Sequence, residues 1–291
     1  ADEIMKHPSV PLAIPYEILD NLPEEPGVYI FYGDDRTPLY IGKSVNIHDR
    51  VMDHLSNTAF GTDQKMAMLA KNIEYIETAG ELSALLLESA MIKDLKPLYN
   101  KKDRYARKLI GLKKIKDKKG YLTVKSCEIT EITIEDLTDI VGVFKSERQM
   151  KNFLSDAVDN HKLCARILGT EKLGKNCFNF RLSKCLGACS GLEKPVRYNI
   201  RFIEAFYQNS IKNWPFRGAI MIHEKEEIEE NHLFDKWCYL GSMTKNGFEK
   251  KEYRFDYDTY RIVSRYVLNR KNWGNIKEIN AEKMIENEGF V

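Results

Sequence analysis

Tyr29, Tyr40, Lys43, Arg50 and His54 crowd into one short stretch, and Glu88 and Asn100 follow within the first hundred residues. Cutting a phosphodiester near neutral pH needs a base to activate water and charge stabilisation of the phosphoryl transition state. It usually also needs a divalent metal on a hard oxygen ligand. These residue types cover each need. A strand tyrosine beside Lys43 can have its pKa lowered and serve as the base, while Arg50 offers phosphate a fixed guanidinium fork. Glu88 sits in the apolar run LLLESAMI, where an uncompensated buried carboxylate is costly and a Mg²⁺ or Mn²⁺ partner is an economical explanation. Each residue alone also has an ordinary use. The tyrosines could pack as amphipathic strand residues, Lys43 and Arg50 could be surface charges, and His54 could be a solvent-facing partner of Asp53 or Arg50. Glu88 lies seven after Glu81, so the two could share one wet helical face.

A second constellation lies further on. Cys164, Cys177, Cys185 and Cys189 form C-x12-C-x7-C-x3-C. Four thiolates in one short segment can close a tetrahedral zinc site or hold a cubane iron–sulfur cluster, and ligand softness does not separate these. The paired C-x2-C knuckles of common zinc modules are absent. Cys127 and Cys238 stand apart and read as core thiols.

The elements that must position these groups follow from periodicity. Gly27 to Tyr32 and Pro38 to Ile41 read as strands around the turn Gly33-Asp34-Asp35, a hairpin. Asn46 and Asp49 resemble a capping box, and Ile47, Val51 and Leu55 then recur at helical spacing, so Arg50 and His54 project four apart from one face. Ile73 to Ile76 alternates as a strand, and Glu81 to Leu95 is a strongly apolar helix that must stop before Pro97. Beyond it, strands are expected at Tyr121 to Thr130 and Asp139 to Phe144, and a helix from Ser146-Glu147 towards His161. A helix near Tyr198 to Phe206, a strand near Arg217 to His223 and the aromatic-rich stretch Tyr253 to Tyr266 complete the reading.

Length and charge set the frame. A chain of 291 residues can hold two modest cores, and its apolar runs are far shorter than a bilayer span. The start ADEIMKHPSV lacks the basic-then-apolar order of a signal peptide, and bunched cysteines suit a reducing compartment, so a cytoplasmic protein, with no membrane contact and monomeric, is expected. Residues 101–125 carry eleven Lys or Arg against Asp103 and Asp117, a local +9 that leaves −7 for the rest of a +2 chain. Apolar and aromatic residues interrupt this run, as in a structured basic face for phosphate rather than a tail. The acidic EKEEIEE at 224–230 reads as a surface loop. No P-loop pattern GxxxxGK[ST] occurs, so the chain has no visible means of using ATP to open a duplex.

The order of these residues resembles the GIY-YIG nuclease family, and within it the UvrC excinucleases. Gly27-Val28-Tyr29 stands for the first half of the motif and Tyr40-Ile41-Gly42-Lys43 for the second. Arg50, Glu88 and Asn100 fall at the helix arginine, the metal-binding glutamate and the terminal asparagine, inside the closing motif Lys96-Pro97-Leu98-Tyr99-Asn100. The likeness covers roughly residues 22–103. One departure is His54, where UvrC proteins often carry tyrosine. UvrC-like proteins also have a four-cysteine segment ending like Cys185-Leu186-Gly187-Ala188-Cys189, associated in that family with a [4Fe–4S] cluster. The resemblance therefore implies an α/β protein in two domains. The first, 1–103, is a GIY-YIG endonuclease with a small antiparallel sheet and helices. The second, 104–291, holds the basic segment and, at 164–189, a cluster site on Cys164, Cys177, Cys185 and Cys189, with zinc as the alternative.

It further implies Tyr29, Tyr40, Lys43, Arg50, His54, Glu88 and Asn100 as catalytic residues and Glu88 as the metal ligand. The chain ends too soon for a full-length UvrC, with about a hundred residues after the cysteines and no second nuclease motif. The short UvrC homologues, which incise damaged double-stranded DNA 3′ of a lesion after UvrB has loaded, are the expected relatives. A non-catalytic scaffold of the same fold should have lost members of this set, and none is missing. A homing or restriction-type nuclease is favoured by His54 and disfavoured by the cysteines.

Overall fold

The computed structural model describes residues 13–56, 62–100, 109–171 and 178–280. Cys177, the 101–108 part of the basic run and the N-terminal ADEIMKHPSV lie outside the described residues. The chain divides into two units, one of Ala1–Ala106 with Phe216–Val291 and the other of Arg107–Pro215. The first unit is thus built from two separate stretches of the chain.

A short helix α1 (Tyr16–Asp20) precedes β1 (Gly27–Tyr32) and β2 (Pro38–Ser44), then α2 (Ile47–Ser56), α3 (Thr62–Leu69), β3 (Asn72–Glu77) and α4 (Glu81–Leu95). The sheet has order β2-β1-β3 and both pairings are antiparallel, with Tyr29 opposite Gly42 on one side and Tyr75 on the other. The central strand GVYIFY is buried through its first five residues, which is why it reads as continuous rather than alternating hydrophobics. Strand β2 runs three residues beyond its expected end, carrying Gly42, Lys43 and Ser44 into the sheet. Asn46 caps α2 by accepting the Asp49 N–H at 2.9 Å, and Ile47, Val51 and Leu55 are its buried stripe. Helix α4 has the expected bounds; Lys96 follows it in the left-handed region at φ 49°, before Pro97.

The second unit is a sheet of β4 (Ile110–Lys116), β5 (Leu122–Glu128) and β6 (Ile140–Phe144) in antiparallel order β5-β4-β6, with α5 (Glu147–His161), α6 (Phe178–Arg181) and α7 (Pro195–Phe206). Ser146 caps α5 by accepting from Gln149. Its core joins Leu112 and Phe144 to Leu154, Tyr198, Phe202 and Phe206. The described part of the basic run is the β4–β5 hairpin, and two of its lysines face acids: Lys113 meets Asp136 at 2.6 Å and Lys114 meets Asp139 at 3.1 Å. Lys116, Lys118, Lys119 and Lys125 are exposed.

Back in the first unit, β7 (Ala219–Lys225), β8 (Glu229–Asp235), β9 (Cys238–Thr244), β10 (Gly247–Lys250) and β11 (Ile276–Ile279) form an antiparallel sheet of order β10-β9-β8-β7-β11, and α8 (Tyr257–Val267) follows β10. The acidic 224–230 stretch is therefore not a free loop. Glu224 and Lys225 end β7, Glu229 and Glu230 open β8, and only 226–228 turn between them. Helix α4 packs against β1 and β2 and also against α8, which explains an apolar surface wider than a single stripe. No described helix is long and apolar enough to cross a membrane.

Candidate active site

The glycines of the two motif halves make room for side chains of neighbouring elements. A Cβ on Gly27 would overlap the Ile76 carbonyl, and one on Gly42 would overlap the hydroxyl end of Tyr29, which crosses that position from the opposite strand. Tyr29 is 1% exposed. Its hydroxyl shares a hydrogen bond of 2.9 Å with His54 Nε2, and His54 is itself 7% exposed. His54 is thus a packed member of the site and not a solvent-facing partner of Asp53. Tyr40, half-buried, closes a three-ring group, its centroid 6.2 Å from Tyr29 and 5.2 Å from His54. Arg50, exposed on α2, reaches the Tyr29 hydroxyl. Burial, with the negative charges of Tyr40 and Glu88 adding, pushes the Tyr29 phenol far above its ordinary range, against the opposing pull of Arg50. Tyr29 is therefore held protonated in this environment.

Glu88 is half-buried rather than sealed in an apolar helix. One oxygen accepts the Lys43 N–H at 3.2 Å, so α4 is tied to β2 at the second motif half. A single hard, half-buried carboxylate of this kind fits a hydrated divalent cation such as Mg²⁺ better than a ligand-rich cage. The Lys43 ammonium pairs with Glu81 at 2.6 Å, and Lys43 is not among the charges that act on the Tyr29 hydroxyl. Glu81 was not singled out from sequence, although its seven-residue spacing from Glu88 already put both carboxylates on one helical face. Asn100, 9% exposed, brackets Ile41: Oδ1 accepts its N–H at 2.9 Å and Nδ2 donates to its carbonyl at 2.8 Å. A side-chain amide here replaces the strand neighbour that β2 lacks on that edge.

The expected cysteine site has less beneath it. Cys164 and Cys185 are buried and Cys189 is half-buried, while Cys177 lies outside the described residues. Among the described residues no group of three or more His, Cys, Asp or Glu could hold a metal ion. Of the two cysteines outside this segment, Cys238 is a core thiol whose burial pushes its pKa up to about 12.

Residues 25–101 match the UvrC-like GIY-YIG domain, residues 114–208 the middle domain of the UvrC/Cho excinucleases, and residues 219–281 the C-terminal domain of excinuclease Cho. Excinuclease Cho of Shigella flexneri is 35% identical over 265 residues, spanning 87% of this chain and 86% of that protein. Excinuclease Cho of Escherichia coli strain K12 is 35% identical over 262 residues, 86% of this chain and 85% of that one. The crystal structure of the N-terminal GIY-YIG endonuclease domain of UvrC from Thermotoga maritima, bound to its catalytic divalent cation magnesium, is 34% identical and covers 29% of this chain and 93% of its own, with a TM-score of 0.27. The three matched domains follow one another along the chain in the same order as its structural elements, and the chain belongs to the UvrC/Cho excinuclease family of endonucleases.

Proposed function

We propose that this protein makes a single metal-dependent incision in damaged double-stranded DNA, on the 3′ side of the lesion, during nucleotide excision repair. The observation that carries this reading is the convergence of Tyr29, Tyr40 and His54 with Arg50 and Glu88 on one edge of the small sheet. Tyr29, buried and protonated, orients His54. Tyr40, half-exposed, is the base that takes the proton of the attacking water, and His54 relays that proton onward. Arg50 steadies the phosphate through paired guanidinium hydrogen bonds. Lys43 acts through its main chain, and Asn100 keeps the Tyr40–Lys43 strand straight. A divalent cation on Glu88 would supply charge neutralisation at the phosphoryl oxygens when bound.

The chain offers one such constellation, so it serves one phosphodiester at a time. Phosphate contact by exposed lysines is salt-sensitive and blind to sequence and to damage. Discrimination is therefore assigned to a partner that opens and verifies the duplex with ATP, the role of UvrB in this repair system. A lesion-bearing duplex labelled on both strands, incubated with and without UvrB and ATP, tests the whole reading. One cut, 3′ of the lesion and dependent on UvrB, is expected. Equal cutting of undamaged DNA without UvrB, or two cuts flanking the lesion, would overturn it in favour of an autonomous nuclease of this fold. We also propose a structural [4Fe–4S] cluster on Cys164, Cys177, Cys185 and Cys189, on the strength of their bunching and the family resemblance. Oxygen-free purification read by visible absorption and metal analysis tests it. Colourless protein with one tightly bound zinc would decide for zinc, and no step of the cutting runs through this site.

A further inference from the structure

Helix α4 starts without a cap of its own. Gly80 has no side chain to accept the first N–H groups of the helix, and none of its neighbours supplies one locally. The acceptor comes from β7 instead. Glu224 takes the Leu82 N–H at 2.9 Å on one oxygen, and the Ser83 N–H and hydroxyl, each at 2.7 Å, on the other. Its side chain is only 10% exposed. Gly80 is what admits it, because a Cβ there would stand 2.6 Å from the nearer carboxylate oxygen. His232 of β8 backs the contact, with Nε2 2.7 Å from the Ser83 hydroxyl and Nδ1 3.0 Å from the Tyr239 hydroxyl. At the other end of the helix, Lys93 lies 2.8 Å from Asp256, the cap of α8, and 3.2 Å from Asp258. Glu88 sits between these two attachments, on the residues of α4 that face β2.

We propose that Glu224 is a positioning residue for the metal-binding carboxylate: by capping α4 from the C-terminal sheet it fixes where Glu88 stands against β2. The first turn of α4 is held on both sides, since Glu81 grips the Lys43 side chain while Glu224 grips the N–H groups of Leu82 and Ser83. Release of one side lets the helix rotate and slide, which moves a ligand carboxylate by far less than its own length and still costs affinity. This role rests on the reading of Glu88 as the metal ligand.

The test compares Glu224→Ala, Gly80→Ala and the double variant in the full chain. Mn²⁺ binding is measured directly by calorimetry, alongside the Mg²⁺ concentration that half-saturates cutting. Each single variant is expected to weaken Mn²⁺ binding by about tenfold or more, as for other residues that orient a metal ligand, and to raise the Mg²⁺ requirement in parallel with DNA affinity unchanged. The double variant is expected to be no worse than either single one, because both remove the same contact. Glu224→Gln, which keeps one acceptor oxygen, should fall between, and it carries the test if the alanine variants do not fold. Glu227→Gln, in the exposed turn beside it, should change nothing. Unaltered Mn²⁺ affinity in folded Glu224→Ala with binding lost in Glu88→Gln would overturn the positioning role alone. Unaltered Mn²⁺ affinity in Glu88→Gln would overturn the metal-ligand reading beneath it.

Discussion

Two buried histidines each carry a tyrosine hydroxyl on one ring nitrogen. His54 meets Tyr29 at 2.9 Å and His232 meets Tyr239 at 3.0 Å. A glutamate accompanies each pair: Glu224 of β7 lies 3.8 Å from His232 Nε2, and the charge of Glu88 acts on Tyr29. The first group opens outward, with Tyr40 half-buried and Arg50 exposed beside it. The second is closed. Ser83, Glu224 and the helix N–H groups use up one another's hydrogen-bonding capacity, and His232 is 2% exposed. The same residue types thus stand in one group open to water and in one that is sealed, and the proposed function gives chemistry to the first and rigidity to the second.

If that division is right, substitutions on the two sides should separate rate from stability. The largest effect belongs to Glu88→Gln, which should abolish cutting with DNA binding nearly intact; a near-normal rate would remove Glu88 from the site. Tyr40→Phe should cost about 10²–10⁴-fold in rate, the range of a lost general base. Tyr29→Phe should cost about tenfold through a misoriented His54, a smaller loss than a lost base. Equal losses for the two tyrosines would erase the distinction drawn between the buried and the half-exposed ring. Arg50→Ala should lower turnover by about 10²–10³-fold, in line with loss of a transition-state donor.

A matched pair sharpens the comparison further. His54→Phe should lose rate with little change in melting temperature. His232→Phe, which removes one hydrogen-bond partner from each of the Ser83 and Tyr239 hydroxyls, should lose about 1–3 kcal/mol of stability, the sum of two ordinary hydrogen bonds. The reverse pattern in calorimetry and single-turnover kinetics would exchange their roles.

The smallest effect is on acid stability. Burial alone would raise the Glu224 carboxyl, but His232, Ser83 and two main-chain N–H groups hold it below the ordinary range. Burial alone would likewise raise the Asp256 carboxyl, but Lys93 and Thr259 hold it below the ordinary range. Groups depressed in the folded state stabilise it above their unfolded pKa of about 4, and that stability is lost as pH falls through the lower folded value. The urea midpoint should therefore decline from about pH 4 downwards, and less steeply in Glu224→Gln. Identical slopes would show that the clamp carries no such charge dependence.

The nuclease half was legible because its signals are local. The run from Glu81 to Leu95 ends at a proline, Asn46 caps α2 three residues ahead of the bonded N–H, and Ile47, Val51 and Leu55 keep helical spacing. The Lys43–Glu81 pair was not legible, because sequence shows only neighbours along the chain and Glu81, 38 residues away, arrives only when α4 lies on β2. The C-terminal sheet was mostly illegible for a related reason. The charges of EKEEIEE outweigh the alternation of strands β7 and β8 around them, and the burial of Glu224 depends on a glycine at position 80. A carboxylate that caps a helix 142 residues earlier leaves no pattern in either segment alone.

That separation bears on the order in which the protein comes into being. The chain leaves its first unit near Ala106 and re-enters it at Phe216, so a nascent polypeptide has synthesised the whole intervening unit before β7 can reach α4. Loop closure over that length slows the last step of folding, and domains emerging from the ribosome fold in the order they appear. The motif-bearing hairpin and its helix are thus made first and secured last. A ribosome that stalls before Glu224 is added releases a chain with every motif residue and no clamp, an incomplete product in which the first N–H groups of α4 lack their acceptor.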